Sequence, residues 1–230
     1  MKIDSIYTPS ALARDMVDAA GVSLSAGHLI ADFAAGSGEL LIAAHERWPL
    51  AQIVATDIDP TETQFLKSKN NSWQIGRCDF LNPKSRNGSL ILRRLVGRIR
   101  LVILNPPFSC RGGKKVGAST SGISVKCSVG LAFVVNSIDY LAAGGTLVAI
   151  LPLGSLFSEK DAEAWELLRK LGTVETVMYN GHHTFPKATV DTVVIRLVKA
   201  QEGEERLDQI SKGEELDICE NYEADIKLVR

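Results

Sequence analysis

Four strand-length apolar segments in the first half of this 230-residue chain each lead into a polar residue at or near their end: residues 28–34 carry Asp32 ahead of Phe33, 52–56 run into Asp57, 74–78 into Asp79, and 99–104 into Asn105. Helix-length amphipathic segments separate them, at 10–20, 39–48 and 60–69, and two more follow at 128–142 and 161–171. Strands alternating with helices in this way build a parallel sheet with crossover helices. Ligands of such sheets collect at the C-terminal ends of the strands, near the point where strand order reverses. Polar ends on four successive strands therefore converge on one site. Further strands are expected at 146–151, 173–179 and 190–198, and the last two, with no helix between them, pair antiparallel. Thr8 followed by Pro9 reads as the N-cap and first turn of the opening helix. No internal repeat is present.

Composition sets the frame for this reading. One domain with a full core fits 230 residues, and 45% hydrophobic with 23% charged residues is ordinary for a globular protein. The longest apolar runs are strand-sized, too short for a membrane span, and the N-terminus has no export pattern, so a cytoplasmic protein without membrane association is expected. Cys78, Cys110, Cys127 and Cys219 show neither paired spacing nor metal-ligand spacing, which suits free thiols. His182 and His183 are adjacent and have no carboxylate or thiol cluster near them, so no metal is expected. The net charge of −1 conceals an asymmetry. Residues 84–126 hold ten Lys or Arg and no acid, whereas residues 201–230 hold ten acids against four bases. The basic stretch brackets Asn105, and a polyanion passing that residue would meet positive charge on both sides.

Gly36 and Gly38 lie between the first strand and the next helix, where glycine permits a sharp turn and close approach of a ligand. Leu41 stands where a dinucleotide fingerprint would place its third glycine, which argues against a pyrophosphate site. Asp57, about twenty residues on, can accept hydrogen bonds from both hydroxyls of a ribose; helix capping at Pro60 falls to Asp59 instead. Asp79 either accepts from an adenine amino group or caps the turn at Asn82-Pro83. Ile58 and Phe80, beside these acids, can flank an adenine ring or belong to the core.

Asn105-Pro106-Pro107-Phe108 follows a buried strand directly. Two consecutive prolines cannot continue a central strand, since neither offers a ladder donor, and they hold the backbone rigid where the sheet ends. With Tyr7-Thr8-Pro9, Asp32-Phe-Ala-Ala-Gly36-Ser-Gly38, Asp57-Ile-Asp59-Pro60 and Asp79-Phe80, this makes five short motifs whose order and spacing resemble the adenine-N6 DNA methyltransferases. Among those, the order is similar to the type with its cofactor half first, which includes methylation subunits of restriction-modification systems. The resemblance spans about residues 6–199 and implies a Rossmann-like class I methyltransferase fold: a seven-stranded, mostly parallel sheet with one antiparallel strand and flanking helices.

It also implies S-adenosylmethionine as cofactor. By similarity Tyr7 and Thr8 border its methionine end, Asp32 and the loop Ala34–Gly38 lie beneath it, Asp57 holds the ribose and Asp79 the adenine. An amino group conjugated to an aromatic ring is a poor nucleophile. The side-chain oxygen of Asn105 and the carbonyl of Pro106 are suited to accept its two N–H bonds and turn the lone pair toward the methyl donor, with no strong general base. Phe108 can stack on the base, a contact of about 1–3 kcal/mol, and the resemblance extends to Thr184-Phe185-Pro186-Lys187, where Phe185 would be its partner. Lys114 and Lys115 are candidates for substrate phosphates. The target adenine must be flipped out of double-stranded DNA.

The expected division is a catalytic domain over 1–200 and an acidic tail over 201–230 with no target-recognition domain, which leaves the chain either weakly specific alone or dependent on a separate specificity subunit. Two alternatives stay open: an RNA or protein-glutamine N-methyltransferase, which share the Asn-Pro-Pro-aromatic pattern, and a non-catalytic cofactor- or DNA-binding module.

Overall fold

The computed structural model describes residues 8–108, 115–181 and 190–201. Tyr7, Cys110, Lys114, His182, His183, Phe185 and Cys219, and the acidic segment beyond residue 201, lie outside them. In chain order the elements are α1 (Ser10–Ala19), β1 (Leu29–Asp32), α2 (Glu39–Arg47), β2 (Gln52–Asp57), α3 (Pro60–Lys69), β3 (Gln74–Arg77), α4 (Pro83–Gly88), α5 (Leu90–Arg93), β4 (Ile99–Leu104), β5 (Val116–Thr120), β6 (Ile123–Cys127), α6 (Val129–Ser137), β7 (Leu141–Pro152), α7 (Ala162–Leu171), β8 (Gly172–Asn180) and β9 (Thr192–Lys199).

Seven strands form one sheet in the order β3-β2-β1-β4-β7-β9-β8, and β5-β6 form a separate two-stranded ribbon. β9 runs antiparallel to both β7 and β8, while the pairs among β1, β2, β3, β4 and β7 are parallel. The order reverses between β1 and β4. β1 leads outward through β2 to β3, the chain returns to place β4 on the other side of β1, and a crevice opens at the C-terminal ends of the two central strands.

Alternate strand residues face two cores. One face packs Ile30, Ile53, Leu101 and Ile103 under α1, α2 and α3, with Met16, Leu41 and Leu66. The other packs Ala31, Val54, Val102 and Leu104 under α5, α6, α7 and the ribbon, with Leu92, Phe133, Trp165 and Ala118. The central strands are buried on both sides, which is why they read as continuous apolar runs. Cys78 and Cys127 are free and buried. Among the described residues no helix is long and apolar enough to cross a membrane.

Several expectations are corrected. Gly144-Gly145 does not turn the chain into a strand starting at 146; β7 already begins at Leu141 and passes through both glycines with a register shift against β4. Gly144 has φ +65°, and a Cβ at Gly145 would sit 2.8 Å from the carbonyl oxygen of Ala142, so the pair forms a bulge that side chains would block. The helix expected to reach residue 142 therefore ends at Ser137 and tightens into a single 3₁₀ turn before the strand. α4 and α5 are additional helices, capped by the side chains of Asn82 and Ser89. The Gly-, Ser- and Lys-rich composition of 111–124 suits a loop, yet from Val116 onward the chain forms a ribbon. Pro9 occupies the N-cap of α1 without a side-chain hydrogen bond, so Thr8 is not the cap.

Candidate active site

The start of the described chain, the loop after β1 and the end of β4 meet around a small cleft lined by Thr8, Asp32, Ala34, Ala35, Gly36, Ser37, Glu39, Leu40 and Asn105. The loop is shaped by local bonds. Asp32 Oδ1 accepts from the amide of Ala34 at 2.8 Å, and the amide of Gly38 donates to the carbonyl of Ala35 at 2.8 Å. Gly36 and Gly38 adopt φ +48° and +87°, the left-handed region that glycine enters without a Cβ penalty. A Cβ at Gly38 would fall 2.5 Å from Leu66 Cδ2, so α2 starts directly against α3.

Asp57 ties the loop to β2. Its Oδ2 accepts from the amide of Gly36 and its Oδ1 from the amide of Asp59, both at 2.8 Å. A carboxylate oxygen carries two lone pairs, so these bonds orient the group without exhausting it as an acceptor for ligand hydroxyls. Asp59 caps α3 by accepting from the amide of Thr61, as its sequence position predicts. Asp32 is 1% exposed. Burial pushes its carboxyl up to about 8; the Ala34 amide pulls the other way, and the charge of Asp57 adds to the rise. At neutral pH this cleft thus has a protonated acid in its floor and Asp57 beside it.

Asn105 is half-buried at the end of β4. Its Nδ2 donates to Thr8 Oγ1 at 2.9 Å, which commits the donor end of the amide and sets the direction of its oxygen. This bond joins residues 97 positions apart. Pro106 is buried and lies beside Gly130 of α6, where a Cβ would be 3.7 Å from its Cγ, an ordinary contact, and 3.1 Å from Leu151 Cδ2, a tight one. Phe108 is half-buried and rests on the core beneath α1, α2 and α3.

The other candidates distribute unevenly. Ile58 is 50% exposed beside Asp57. Asp79 Oδ1 accepts from the amide of Leu81 at 3.2 Å, the local turn that was its alternative reading, and Asp79 is not among the residues lining the cleft. Phe80 is a correction: its ring is 1% exposed, stacks on Phe33 at 4.2 Å between centroids and packs against Phe133, so it belongs to the core and has no face for an adenine. Lys115 is exposed at the start of the ribbon. It opposes, without outweighing, the burial and the Asp161 charge that push the Cys127 thiol up to about 12, which leaves that thiol inert as a nucleophile.

Glu39 and Leu40 line the cleft but were not anticipated. Glu39 accepts from Ser10 Oγ at 2.9 Å and links the starts of α2 and α1; its position just after the glycine loop, in the first turn of α2, is the signal that could have flagged it.

Comparison with known proteins adds three findings. A family model described as N-6 DNA Methylase matches residues 3–216. No curated protein matches the sequence. Among solved structures, the chain superposes with a TM-score of 0.66 on the methyltransferase subunit of a type I restriction-modification system from Streptococcus thermophilus, at 19% identity over 86% of this chain and 45% of that one. The modification subunit of a putative type I restriction enzyme from Vibrio vulnificus gives 0.66 at 16% identity, over 96% of this chain and 53% of that one. The 23S rRNA methyltransferase ErmE gives 0.57 at 15% identity, over 97% of this chain and 78% of that one. The chain thus spans about half the length of the two restriction-system subunits, and it shares with all three the Rossmann-like methyltransferase fold that its motif order implies.

Proposed function

Because the chain belongs to the N-6 DNA methylase family, we propose that it transfers a methyl group from S-adenosylmethionine to the N6 amino group of a flipped adenine in double-stranded DNA. The observation that carries this reading is the meeting of Asn105 with the glycine loop in one cleft. The acceptor for an amino group and the cradle for a nucleoside are then within one molecule's length of each other.

The residues present fit the cofactor. Two left-handed glycines expose loop backbone to a close-lying ligand, and Asp57 is held at the end of β2 with acceptor capacity for a ribose. Thr8, with Tyr7, and Asp32 with Ala34 face the methionine end; Asp79 and Ile58 serve the adenine by hydrogen bond and by contact. When bound, the cofactor supplies a sulfonium-activated methyl group. The protein's part is positioning, since a methyl donor in line at about 3–3.5 Å converts the transfer into an effectively unimolecular step. Asn105 Oδ1 and the Pro106 carbonyl accept the two N–H bonds of the target amine, and Pro107 keeps that backbone rigid. Phe108 and Phe185 grip the flipped base, while Lys114 and Lys115 hold flanking phosphates.

Residues 1–200 carry the transfer in this account, in the cytoplasm, and a separate specificity subunit chooses the DNA sequence. The resemblance to an rRNA methyltransferase over nearly the whole chain supports one alternative, RNA as substrate. A transfer assay with labelled cofactor on unmethylated DNA and on RNA separates the two. DNA is expected to be labelled, and Asn105→Ala to lose about 100-fold or more, the scale for removing one positioned polar group at a reacting centre. Labelling of RNA alone, or full activity in the variant, would refute the proposal.

A further inference from the structure

Between Asp79 and Asp139 the chain has no Asp or Glu and ten Lys or Arg, and the fold gathers much of that segment on one side of the sheet. Leu92 and Leu95 from the α5 region, Ala118 and Cys127 from the ribbon, and α6 share one core. The acids of α1, α2 and α3, among them Asp15, Asp18, Glu39, Glu46 and Glu62, belong to elements on the opposite face; on the near face α7, which carries Glu163 and Glu166, packs on the same core as the ribbon. Lys84, Arg93, Arg94, Arg98, Lys115 and Lys126 are all exposed.

The ribbon has two unlike faces. Ala118, Thr120 and Cys127 point inward and are buried. Gly117 pairs with Lys126 and Ser119 with Ser124, and Gly117, Ser124 and Lys126 are exposed. A Cβ at Gly117 would meet nothing within 4 Å, so this face is low, polar and cationic. The ribbon is fixed as a platform: Asp139 Oδ1 accepts from Thr120 Oγ1 at 2.7 Å and from the amide of Ser121 at 2.9 Å, and Asn136 Oδ1 accepts from the amide of Ser119 at 3.1 Å.

Beside the ribbon's tip a cleft opens between it and α4, lined by Arg86, Asn87, Ser119, Asn136 and Asp139 among others. Asn136 is 2% exposed and its Nδ2 has no partner, a donor set for an acceptor entering the cleft. Each five-residue strand of the ribbon spans roughly 17 Å, about five base-pair steps along a duplex axis at roughly 3.4 Å each. The ribbon's open end, at Val116 and Cys127, adjoins the start of α6, where Gly130 lies beside Pro106, and its other end reaches the cleft.

On the reading that DNA is the substrate, we infer that duplex flanking the flipped base lies across the α4–α5 and ribbon face, with its phosphates on Lys126 and Ser124 and on the α5 arginines Arg93 and Arg94. This face makes sequence-independent contacts and leaves base reading to a partner. Half or more of protein–DNA hydrogen bonds go to the phosphate backbone and fix register without carrying sequence information.

The test is fluorescence anisotropy of a labelled duplex with the full chain across a salt series, for wild type, for a triple Arg93→Glu, Arg94→Glu, Lys126→Glu, and for a charge-matched control on the other face, Arg47→Glu, Lys67→Glu, Lys69→Glu. Cofactor affinity is measured in parallel as a check on folding. The triple is expected to weaken duplex binding at least about 10-fold and to lower the slope of log affinity against log salt by about 2–3, near 0.9 per lost phosphate contact, with cofactor affinity unchanged. The control is expected to stay within about twofold of wild type. Equal losses in triple and control, or a triple indistinguishable from wild type, overturn the assignment of the face. Failure of the wild type to bind duplex at all, while binding RNA, overturns the DNA reading itself and this inference with it.

Discussion

Asn105 can serve as the proposed acceptor only if its amide faces the right way, and the residue that sets this is Thr8. The Nδ2-to-Oγ1 bond of 2.9 Å holds the donor end, and one such bond is worth about 1 kcal/mol. Thr8→Val keeps the shape and removes the acceptor. Turnover at saturating cofactor is expected to fall roughly 5- to 10-fold, and Thr8→Ser to restore it; steady-state kinetics with cofactor titration checks both. Asp32 gives a second residue-scale expectation. Its folded value, about 8, is raised above 3.8, so its contribution favours folding below the unfolded value and is lost as pH rises through the folded one. Asp32→Asn can keep the acceptor toward Ala34 and has no charge to bury. The melting temperature of the variant relative to wild type is expected to rise between about pH 5 and about pH 8.5, measured by thermal unfolding in both buffers; a flat difference would contradict the buried-acid account. The sequence names both residues but misreads one. Thr8-Pro9-Ser10 looks locally like a helix start, and its true partner is 97 positions away, beyond any local rule.

At the scale of elements, polar residues ending apolar runs made β1 to β4 legible, since burial on both faces leaves little choice of residue inside those strands. The turn at Gly36–Gly38 was legible for the same kind of reason, a backbone demand that only glycine meets cheaply. Gly38→Ala tests that demand. A left-handed φ costs an alanine roughly 1–2 kcal/mol, and the collision with Leu66 adds to it, so the melting temperature should drop by several degrees in thermal unfolding, with the helical signal of the folded state retained. The ribbon was not legible. Its composition reads as a loop, and its order comes from Asn136 and Asp139, which bind Ser119, Thr120 and Ser121 from another element. α4 and α5 were missed although Asn82-Pro83 and Ser89 cap them, because helices of six and four residues leave no periodicity to detect. Phe80 fell between the two levels. Its neighbour Asp79 belongs to the strand-end pattern, while its ring is consumed by stacking on Phe33.

For the molecule as a whole, one fold separates two tasks. The crevice at the reversal of strand order holds the candidate chemistry, and the acid-free segment between Asp79 and Asp139 both supplies Asn105 and carries exposed Arg93, Arg94 and Lys126. The proposed amide acceptor and the proposed surface for a polyanion thus lie on the same segment. Unmethylated duplex DNA incubated with the protein and S-adenosylmethionine, then digested to nucleosides and analysed by mass spectrometry against standards, reads the product directly. N6-methyldeoxyadenosine is the expected product, reduced about 100-fold or more with Asn105→Ala; methylation confined to another base, or none on DNA alongside methylated RNA, would contradict methylation of DNA adenine by this chain.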